Sequence, residues 1–227
     1  MIHVINKIER PSKELIERFR KIGSATVHEA SGQKGGVSPV IKPIAGGVRI
    51  CGPAYTVECH PRDNLMLHKA LERAQPGDVL VATVGGCYEA GYWGGLMATS
   101  AVARKLAGLA IDGCIRDSEE ITEMGFPIFC RGFCIWGTSK AVLGRINYPV
   151  VFGGVWVNPG DLILGDDDGI VAVERKSCEA VLEKSIKRVE NEEKKTEKLK
   201  AGVSSVELNK LDKVFESLGL VEEEGRQ

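Results

Sequence analysis

The chain has 227 residues and a mass of 24.6 kDa, which suits one large domain or two small ones, and its 43% hydrophobic content excludes disorder for most of its length. Thirty basic and 31 acidic residues give a net charge of −1, without the basic surplus that nucleic-acid binding requires. No apolar stretch approaches the roughly 18 residues that span a bilayer, and the amino terminus lacks a signal peptide's apolar segment. We therefore expect a soluble cytoplasmic protein that has neither nucleic acid nor membrane as a partner.

The first half of the body alternates between helical and strand patterns. Apolar residues at helical spacing predict a helix over 15–22, and a stretch rich in Gly, Ser and Pro predicts a long loop over 31–47. A β-branched strand is predicted over 48–59, a helix over 64–74, and an apolar strand over 79–84. Strand, helix and strand in this order predict a βαβ unit.

The second half of the body repeats that order and then becomes rich in strands. A glycine-rich loop over 85–95 leads into a predicted helix over 96–106 and a short buried strand over 109–111. A short helix is predicted over 118–124, a strand over 127–130, and several short strands over 150–173. The fold class is therefore predicted to be α/β.

The carboxyl-terminal part has a different composition from the body. Residues 174–200 contain no glycine and are dominated by charged side chains, with one narrow apolar stripe at helical spacing, so we predict a long helix there and a second short helix over 208–218. We divide the chain into a catalytic body, 1–173, and a charged helical extension, 174–227. The stripe is expected to pack on the body or on a neighbouring subunit.

The seven cysteines are odd in number and lie mostly in apolar runs, which is typical of free thiols. Cys130 and Cys134 form the only close pair, and no second Cys or His pair nearby would complete a zinc site.

The sequence lacks the common nucleotide-binding, zinc-protease and serine-hydrolase motifs. The remaining candidate sites are two strand-to-helix junctions, where α/β proteins place ligands. In the glycine junction, residues 92–97, Gly94 and Gly95 precede a helix whose free amides favour a carboxylate or phosphate. The alternative is that both glycines only end the loop in a left-handed turn while Trp93 fills the core.

The Arg-Asp junction, residues 111–120, places Arg116 beside Asp117 just after a buried strand. One interpretation is structural: Asp117 caps the next helix together with Glu120, and Arg116 is a surface partner. The other is a hard-metal site, in which one carboxylate, waters and substrate oxygens bind Mg²⁺ or Mn²⁺ and Arg116 grips a 2-oxo acid.

Other polar residues favour structural roles. The acidic run at 166–169 predicts a hairpin turn rather than a calcium loop. His28, His60 and His68 are isolated, and lone histidines more often form surface or core hydrogen bonds than catalyse reactions. Asn64 lies where a helix is predicted to begin, so by default it is a cap.

Several segments together resemble one family, the divalent-metal-dependent 4-hydroxy-4-methyl-2-oxoglutarate aldolases and their relatives, the regulator-of-ribonuclease-activity A (RraA-like) proteins. Each segment is weakly specific, and it is their order over most of the chain that carries the resemblance. The segments are 24–30 (SATVHEA), 51–57 (CGPAYTV), 63–65 (DNL), 77–81 (GDVLV), 93–96 (WGGL), 111–117 (IDGCIRD), 158–161 (NPGD) and 168–169 (DG).

The resemblance implies a swivelling β/β/α domain, like the phosphohistidine domain, with a helical extension and a homotrimer or hexamer whose sites lie between subunits. It implies that Asp117 binds Mg²⁺ or Mn²⁺, that Arg116 holds the pyruvyl group, and that Asn64 lies beside the substrate carboxylate. The substrate-binding set is Asn64, Gly94, Gly95, Leu96, Met97 and Arg116. Glu192 or Glu193 of a neighbouring subunit is expected to approach the metal through water.

The implied activity is cleavage of 4-substituted 2-oxo acids, such as 4-hydroxy-4-methyl-2-oxoglutarate or 4-carboxy-4-hydroxy-2-oxoadipate, through a pyruvate enolate that the metal and Arg116 stabilise. The family often has an acidic residue in place of Gly95 and Asp in place of Glu29. Oxaloacetate decarboxylation tolerates Gly95 best, since it needs no base for a hydroxyl. A water is expected to move the protons, because the sequence shows no well-placed histidine. The alternatives are a metal-free, protein-binding regulator of ribonuclease activity and an enzyme of the same fold acting on another sugar acid or keto acid.

Overall fold

The computed structural model describes residues 2–223 and Gly225. These residues divide into two compact units, one ending at Ser185 and one beginning at Ile186. The predicted boundary between body and extension at 173/174 stays a prediction, and residues 224, 226 and 227 of the predicted extension lie outside the described part.

The described residues form eight α-helices, twelve strands and one 3-10 turn. The helices are α1 Lys13–Phe19, α2 Ser24–Ala30, α3 Leu65–Arg73, α4 Gly95–Ala103, α5 Ser118–Met124, α6 Cys178–Lys200, α7 Ser205–Asn209 and α8 Asp212–Leu218, with the 3-10 turn at Arg175–Ser177. The strands are β1 Lys42–Pro43, β2 Ile50–Glu58, β3 Val79–Thr83, β4 Gly108–Asp112, β5 Cys114–Ile115, β6 Ile128–Cys130, β7 Gly132–Phe133, β8 Arg145–Ile146, β9 Val150–Phe152, β10 Val155–Val157, β11 Leu162–Asp166 and β12 Gly169–Val173.

A mixed sheet in the order β1-β6-β4-β3-β2-β11-β12 organises the first unit, with β8 also paired to β2. Strands β2, β3, β4 and β6 are parallel, while the outer strands pair antiparallel. Edge strands β1 and β12 approach each other, and the Lys42 ammonium donates to the Asp168 carbonyl at 2.8 Å. The sheet is therefore nearly closed, and the predicted α/β class is confirmed.

The central strands are buried on both faces, which explains their continuous apolar sequences. Along β3, Leu80 and Ala82 face the core that contains α3 and α4, whereas Val79 and Val81 face a second core inside the curved sheet. This alternation follows from the two-residue period of a strand. The predicted βαβ unit is confirmed, since β2, α3 and β3 follow one another and β2 and β3 are parallel with Ala54 opposite Val79.

Two predicted elements differ from the structure. The predicted loop over 31–47 contains the short strand β1, which pairs with β6, and Pro43 is accommodated because β1 is an edge strand. The single helix predicted over 208–218 is two helices, α7 and α8, because Lys210 has a left-handed backbone with φ 57° that ends α7. The predicted acidic hairpin is confirmed, with Asp166 opposite Gly169.

The second unit contains the exposed length of α6 and the two short helices. Residues 190–200 of α6 are exposed, and ion pairs such as Arg188 to Glu192 at 2.8 Å run along the helix. No helix within residues 2–223 is both long and apolar enough to span a membrane.

Candidate active site

The two junctions identified in the sequence lie side by side in the structure. The Tyr92 amide donates to the Cys114 carbonyl at 3.0 Å, and the Arg116 amide donates to the Trp93 carbonyl at 2.9 Å. Strand β5 also pairs with β7, which fixes the chain just before Arg116. The polar ends of both junctions are therefore held together by main-chain hydrogen bonds rather than by flexible side chains.

Asp117 does not cap the helix that follows it. Its backbone is left-handed, with φ 58° and ψ 39°, and within the described structure its side chain makes no capping bond to α5. Instead its Oδ2 accepts a hydrogen bond from the Gly95 amide at 3.0 Å, at the beginning of α4. The capping interpretation of Asp117 and Glu120 is thus wrong, because the left-handed backbone directs the carboxylate to the neighbouring helix.

Glycine is needed at positions 94 and 95 because neighbouring side chains come close to both Cα atoms, and not because of the backbone conformation. Gly94 is extended, with φ −149°, and neither glycine has a positive φ, so the left-handed-turn interpretation is wrong. A Cβ on Gly94 would lie 2.5 Å from Asp117 Oδ2 and 3.3 Å from Arg116 Nε. A Cβ on Gly95 would collide with the carboxylate of Glu120. Trp93 is fully buried as predicted and stacks on Phe126, with ring centroids 6.0 Å apart.

A cavity of about 420 Å³ opens over the two junctions. It is lined by Asn64, His68, Gly91, Tyr92, Trp93, Gly94, Leu96, Met97, Arg116, Asp117, Gly137, Thr138 and Lys140. All the site residues predicted in the body therefore line this cavity, except Gly95. Gly95 is linked to the cavity only through its hydrogen bond to Asp117. The Arg116 and Asp117 side chains are 49% and 42% exposed, so they remain accessible to a ligand.

Asn64 precedes α3 without capping it through its side chain. Its Nδ2 donates to the Tyr92 carbonyl at 2.9 Å and lies 3.5 Å from Met97 Sδ. The capping role belongs to Asp63, whose Oδ1 accepts from the Leu65 amide at 2.8 Å. Asn64 thus occupies the N-cap position of α3, as the default interpretation expected, but its side chain makes no capping bond and is directed to the cavity wall instead.

The buried carboxylate of Asp63 fastens a second loop to this wall. Its Oδ2 accepts from the Ser139 hydroxyl at 2.7 Å and from the amides of Ala141 and Val142 at 2.6 and 3.1 Å. Burial alone would raise the pKa of this carboxyl, but these hydrogen bonds outweigh it and lower the pKa to about 2. Asp63 is therefore ionised and holds Lys140, in the middle of that loop, against the cavity.

His68 and Lys140 line the cavity but were not selected from the sequence. Burial lowers the pKa of His68, and the positive charge of Lys140 lowers it further, so the imidazole is neutral near pH 7. Lys140 has no acidic partner among the residues that the structure describes. His68 stands four residues after Asn64 on one helix face, a spacing that could have indicated it, whereas nothing local marks Lys140.

The remaining candidates are not among the residues that line this cavity. Glu192 and Glu193 are on α6 in the second unit, where Glu192 pairs with Arg188. Their approach to a metal stays a prediction. All seven cysteines are free, and within residues 2–223 no cluster of three or more His, Cys, Asp or Glu side chains could hold a metal by itself.

Comparison with known proteins identifies the class. Residues 24–172 match the profile of the family described as RraA-like, Aldolase/RraA. The chain belongs to this family, as the sequence resemblance indicated, and the expected fold is confirmed with it. A relative from Halalkalibacterium halodurans, named "Putative 4-hydroxy-4-methyl-2-oxoglutarate aldolase", is 34% identical over 193 residues, which are 85% of this chain and 92% of the relative.

Solved structures of the same family share the fold. The structure of Streptomyces coelicolor RraAS2, described as an unusual member of the RNase ES inhibitor RraA protein family, is 31% identical and gives a TM-score of 0.76 over 84% of this chain and 99% of that one. The RNA-processing inhibitor RraA from Thermus thermophilis is 27% identical, with a TM-score of 0.61 over 66% and 91% of the two chains. The family thus includes proteins named as aldolases and proteins described as inhibitors of an RNase or of RNA processing.

Proposed function

We propose that this protein is a divalent-metal-dependent lyase that cleaves 4-substituted 2-oxo acids and releases pyruvate. The observation that carries the proposal is the convergence of Arg116 and Asp117 on one accessible cavity, with Asp117 held against the start of α4. Relatives named as aldolases at 30–35% identity support a lyase. The substrates proposed are 4-hydroxy-4-methyl-2-oxoglutarate and 4-carboxy-4-hydroxy-2-oxoadipate, together with oxaloacetate, which would lose CO₂.

The donor set of the cavity fits Mg²⁺ or Mn²⁺. Asp117 keeps Oδ1 without a partner among the described residues while Oδ2 is occupied by the Gly95 amide. One carboxylate plus waters and substrate oxygens is the usual environment of Mg²⁺, whereas zinc and calcium sites use more protein ligands. When bound, the metal supplies a Lewis acid that polarises the 2-oxo group. Glu192 or Glu193 from a neighbouring subunit would add a contact through water.

Arg116 binds and orients the pyruvyl end of the substrate. Its guanidinium offers several donors in one plane, which matches the carboxylate and keto oxygens of a 2-oxo acid. Its Nε lies 3.7 Å from Asp117 Oδ2, so the positive charge stands where negative charge develops as the pyruvate enolate forms. Gly94 makes room for both side chains, since any Cβ there would displace them.

His68 and Lys140 complete the cavity at positions suited to the rest of the substrate. A neutral imidazole can take the proton of a C4 hydroxyl, a role that the sequence led us to expect of a water molecule. Lys140 is an unpaired cation within the described chain, and we assign it to the second carboxylate that the proposed substrates share. Asp63 keeps Lys140 in place by binding the main chain on its carboxyl-terminal side.

We also propose that the protein forms a homotrimer or hexamer whose active sites lie at the subunit interfaces. Leu96 is 89% exposed beside the cavity, and Ile135 and Trp136 are 87% and 52% exposed. The Trp136 carbonyl accepts from the Gly91 amide of the cavity wall, which places this apolar surface at its border. Exposed apolar groups of this size favour burial by another subunit.

The second candidate is a metal-free regulator that acts through protein contacts. The solved structures described as an RNase ES inhibitor family member and as an RNA-processing inhibitor favour it, because they share this fold. A regulator of this kind needs no metal at Arg116 and Asp117. Activity that depends on Mg²⁺ therefore distinguishes the lyase from the regulator.

The test is pyruvate release, coupled to lactate dehydrogenase, from 4-hydroxy-4-methyl-2-oxoglutarate and from oxaloacetate, with Mg²⁺ or with EDTA. Arg116→Ala and Asp117→Asn should abolish release, whereas Arg18→Ala on the exposed face of α1 should not. A protein-free sample with the same metal corrects for spontaneous loss of CO₂. Folded protein that releases no pyruvate from either substrate would contradict the lyase and favour the regulator.

A further inference from the structure

The amide of Asn64 has a fixed orientation. Its Nδ2 donates to the Tyr92 carbonyl at 2.9 Å, and a carbonyl can only accept, so the amide cannot be flipped. The Asn64 main chain is fixed as well, because its amide donates to the Ser139 carbonyl at 3.1 Å. Oδ1 is therefore the atom of this side chain that remains for another partner.

That oxygen has no partner within residues 2–223. Asn64 is 5% exposed, and its Oδ1 is buried without a hydrogen bond although the residue lines the cavity. An unsatisfied buried acceptor costs roughly 1–3 kcal/mol. A ligand that brings a donor to this position recovers that cost, and a ligand that brings only acceptors does not.

The polarity of this atom determines what it can recognise. Carboxylate and keto oxygens are acceptors, so Oδ1 cannot form a hydrogen bond to the 2-oxo acid end of a substrate, beside which the family resemblance placed Asn64. In a 4-hydroxy-2-oxo acid the C4 hydroxyl is a donor. Oxaloacetate carries a carboxylate at C4 and has no such donor.

We propose that Asn64 Oδ1 accepts a hydrogen bond from the C4 hydroxyl of the substrate and thereby selects hydroxylated 2-oxo acids over oxaloacetate. This inference rests on the proposed function. Asn64 orients the hydroxyl and does not take its proton. In the cleavage, the hydroxyl proton goes to a base and the O–H electron pair forms the C4 carbonyl. The C3–C4 bond breaks, and its electron pair is delocalised over C3 and O2 as the pyruvate enolate. A proton added at C3 then gives pyruvate.

The test compares two substrates in the full-length protein and in Asn64→Leu, which has similar volume and no polar atom. With Mg²⁺ present, we expect kcat/KM for 4-hydroxy-4-methyl-2-oxoglutarate to fall roughly 10- to 100-fold, because a hydrogen bond to the reacting hydroxyl is lost. We expect the loss in kcat/KM for oxaloacetate, and in inhibition by oxalate as a mimic of the pyruvate enolate, to be roughly 10-fold smaller, since neither uses Oδ1 and both report only the lost bond from Nδ2 to the Tyr92 carbonyl.

Three results would overturn the inference. The first is an equal loss with both substrates, which would assign Asn64 to the common pyruvyl end. The second is a raised Mg²⁺ requirement with both, which would make a water on the metal its partner. The third is a wild-type protein that decarboxylates oxaloacetate but does not cleave the hydroxylated acid. Wild-type protein inactive with both substrates would instead defeat the proposed function, and the inference with it. Asn64→Ala is the second variant if Asn64→Leu does not fold.

Discussion

Asp117 accepts a hydrogen bond from the Gly95 amide at 3.0 Å, so the carboxylate that precedes α5 binds a free main-chain amide at the start of α4. The left-handed backbone of Asp117 makes this contact possible. Such a backbone costs most residues roughly 1–2 kcal/mol, and Asp tolerates it better than most. The strain lies at the residue to which we assign the metal, as is common at functional sites.

Asp117→Asn should separate the charge of this residue from its structural role. Asn also tolerates a left-handed backbone and can still accept from the Gly95 amide, so we expect the free energy of unfolding to change by less than about 0.5 kcal/mol. Thermal stabilisation by Mg²⁺ and pyruvate release should both be lost, because an amide is a poor ligand for a hard cation. Asp117→Ala should lose a further 1–2 kcal/mol, roughly, in urea unfolding. Mg²⁺-dependent activity in Asp117→Asn would show that Asp117 is not the ligand.

Alanine at Gly94 and at Gly95 should have unequal effects. Both backbones accept alanine, so the difference arises from what the new Cβ meets. At Gly94 it meets Asp117 and Arg116 together, and we expect kcat/KM to fall roughly 100-fold, the effect of displacing reactive groups by about 1 Å. At Gly95 it meets the end of the exposed Glu120 side chain, which can rotate away, so activity should stay within about threefold. The reverse order would contradict this assignment of the two glycines.

Lys140→Met should weaken binding of dicarboxylic substrates without affecting the pyruvyl end. We expect KM for oxaloacetate to rise roughly 10-fold, the effect of about 1.4 kcal/mol, because the second carboxylate loses its cation. Product inhibition by pyruvate, which has one carboxylate, should be unchanged. Lys13→Met on α1 is the matched control. An equal loss of pyruvate affinity would place Lys140 at the common end of the substrate instead.

Asp63 should make the stability of the first unit depend on acid. Its folded-state pKa of about 2 lies below the ordinary value of 3.8, so ionised Asp63 contributes stability that is fully present above about pH 4 and is lost as pH falls toward 2. A shift of this size corresponds to about 2 kcal/mol. Asp63→Asn should destabilise the protein by roughly 2–4 kcal/mol at pH 7 in urea unfolding. The difference between the two proteins should shrink between pH 4 and pH 2, and a constant difference would contradict this origin.

The sequence by itself determined most of the elements and the family. The apolar runs over β3 and β4 are short and bounded by turn residues, which predicts strands buried on two faces. The charged, glycine-free stretch of α6 shows a helical period in the sequence alone. Ordered short motifs over most of the chain were enough to identify the family that the profile over residues 24–172 shows. These properties are local or additive along the chain.

Only the tertiary structure decided which atoms of the site are free. Local spacing favoured Asp117 and Asn64 as helix caps, because capping depends on neighbours three residues away. Both residues do stand at the start of a helix, but the fold directs their side chains elsewhere: a left-handed backbone turns Asp117 to α4, and the Tyr92 carbonyl holds the Asn64 amide at the cavity wall. Lys140 reaches the same cavity through Asp63, which is 77 residues away in sequence. A contact of that separation leaves no periodic signal, so it exists only once the chain has folded.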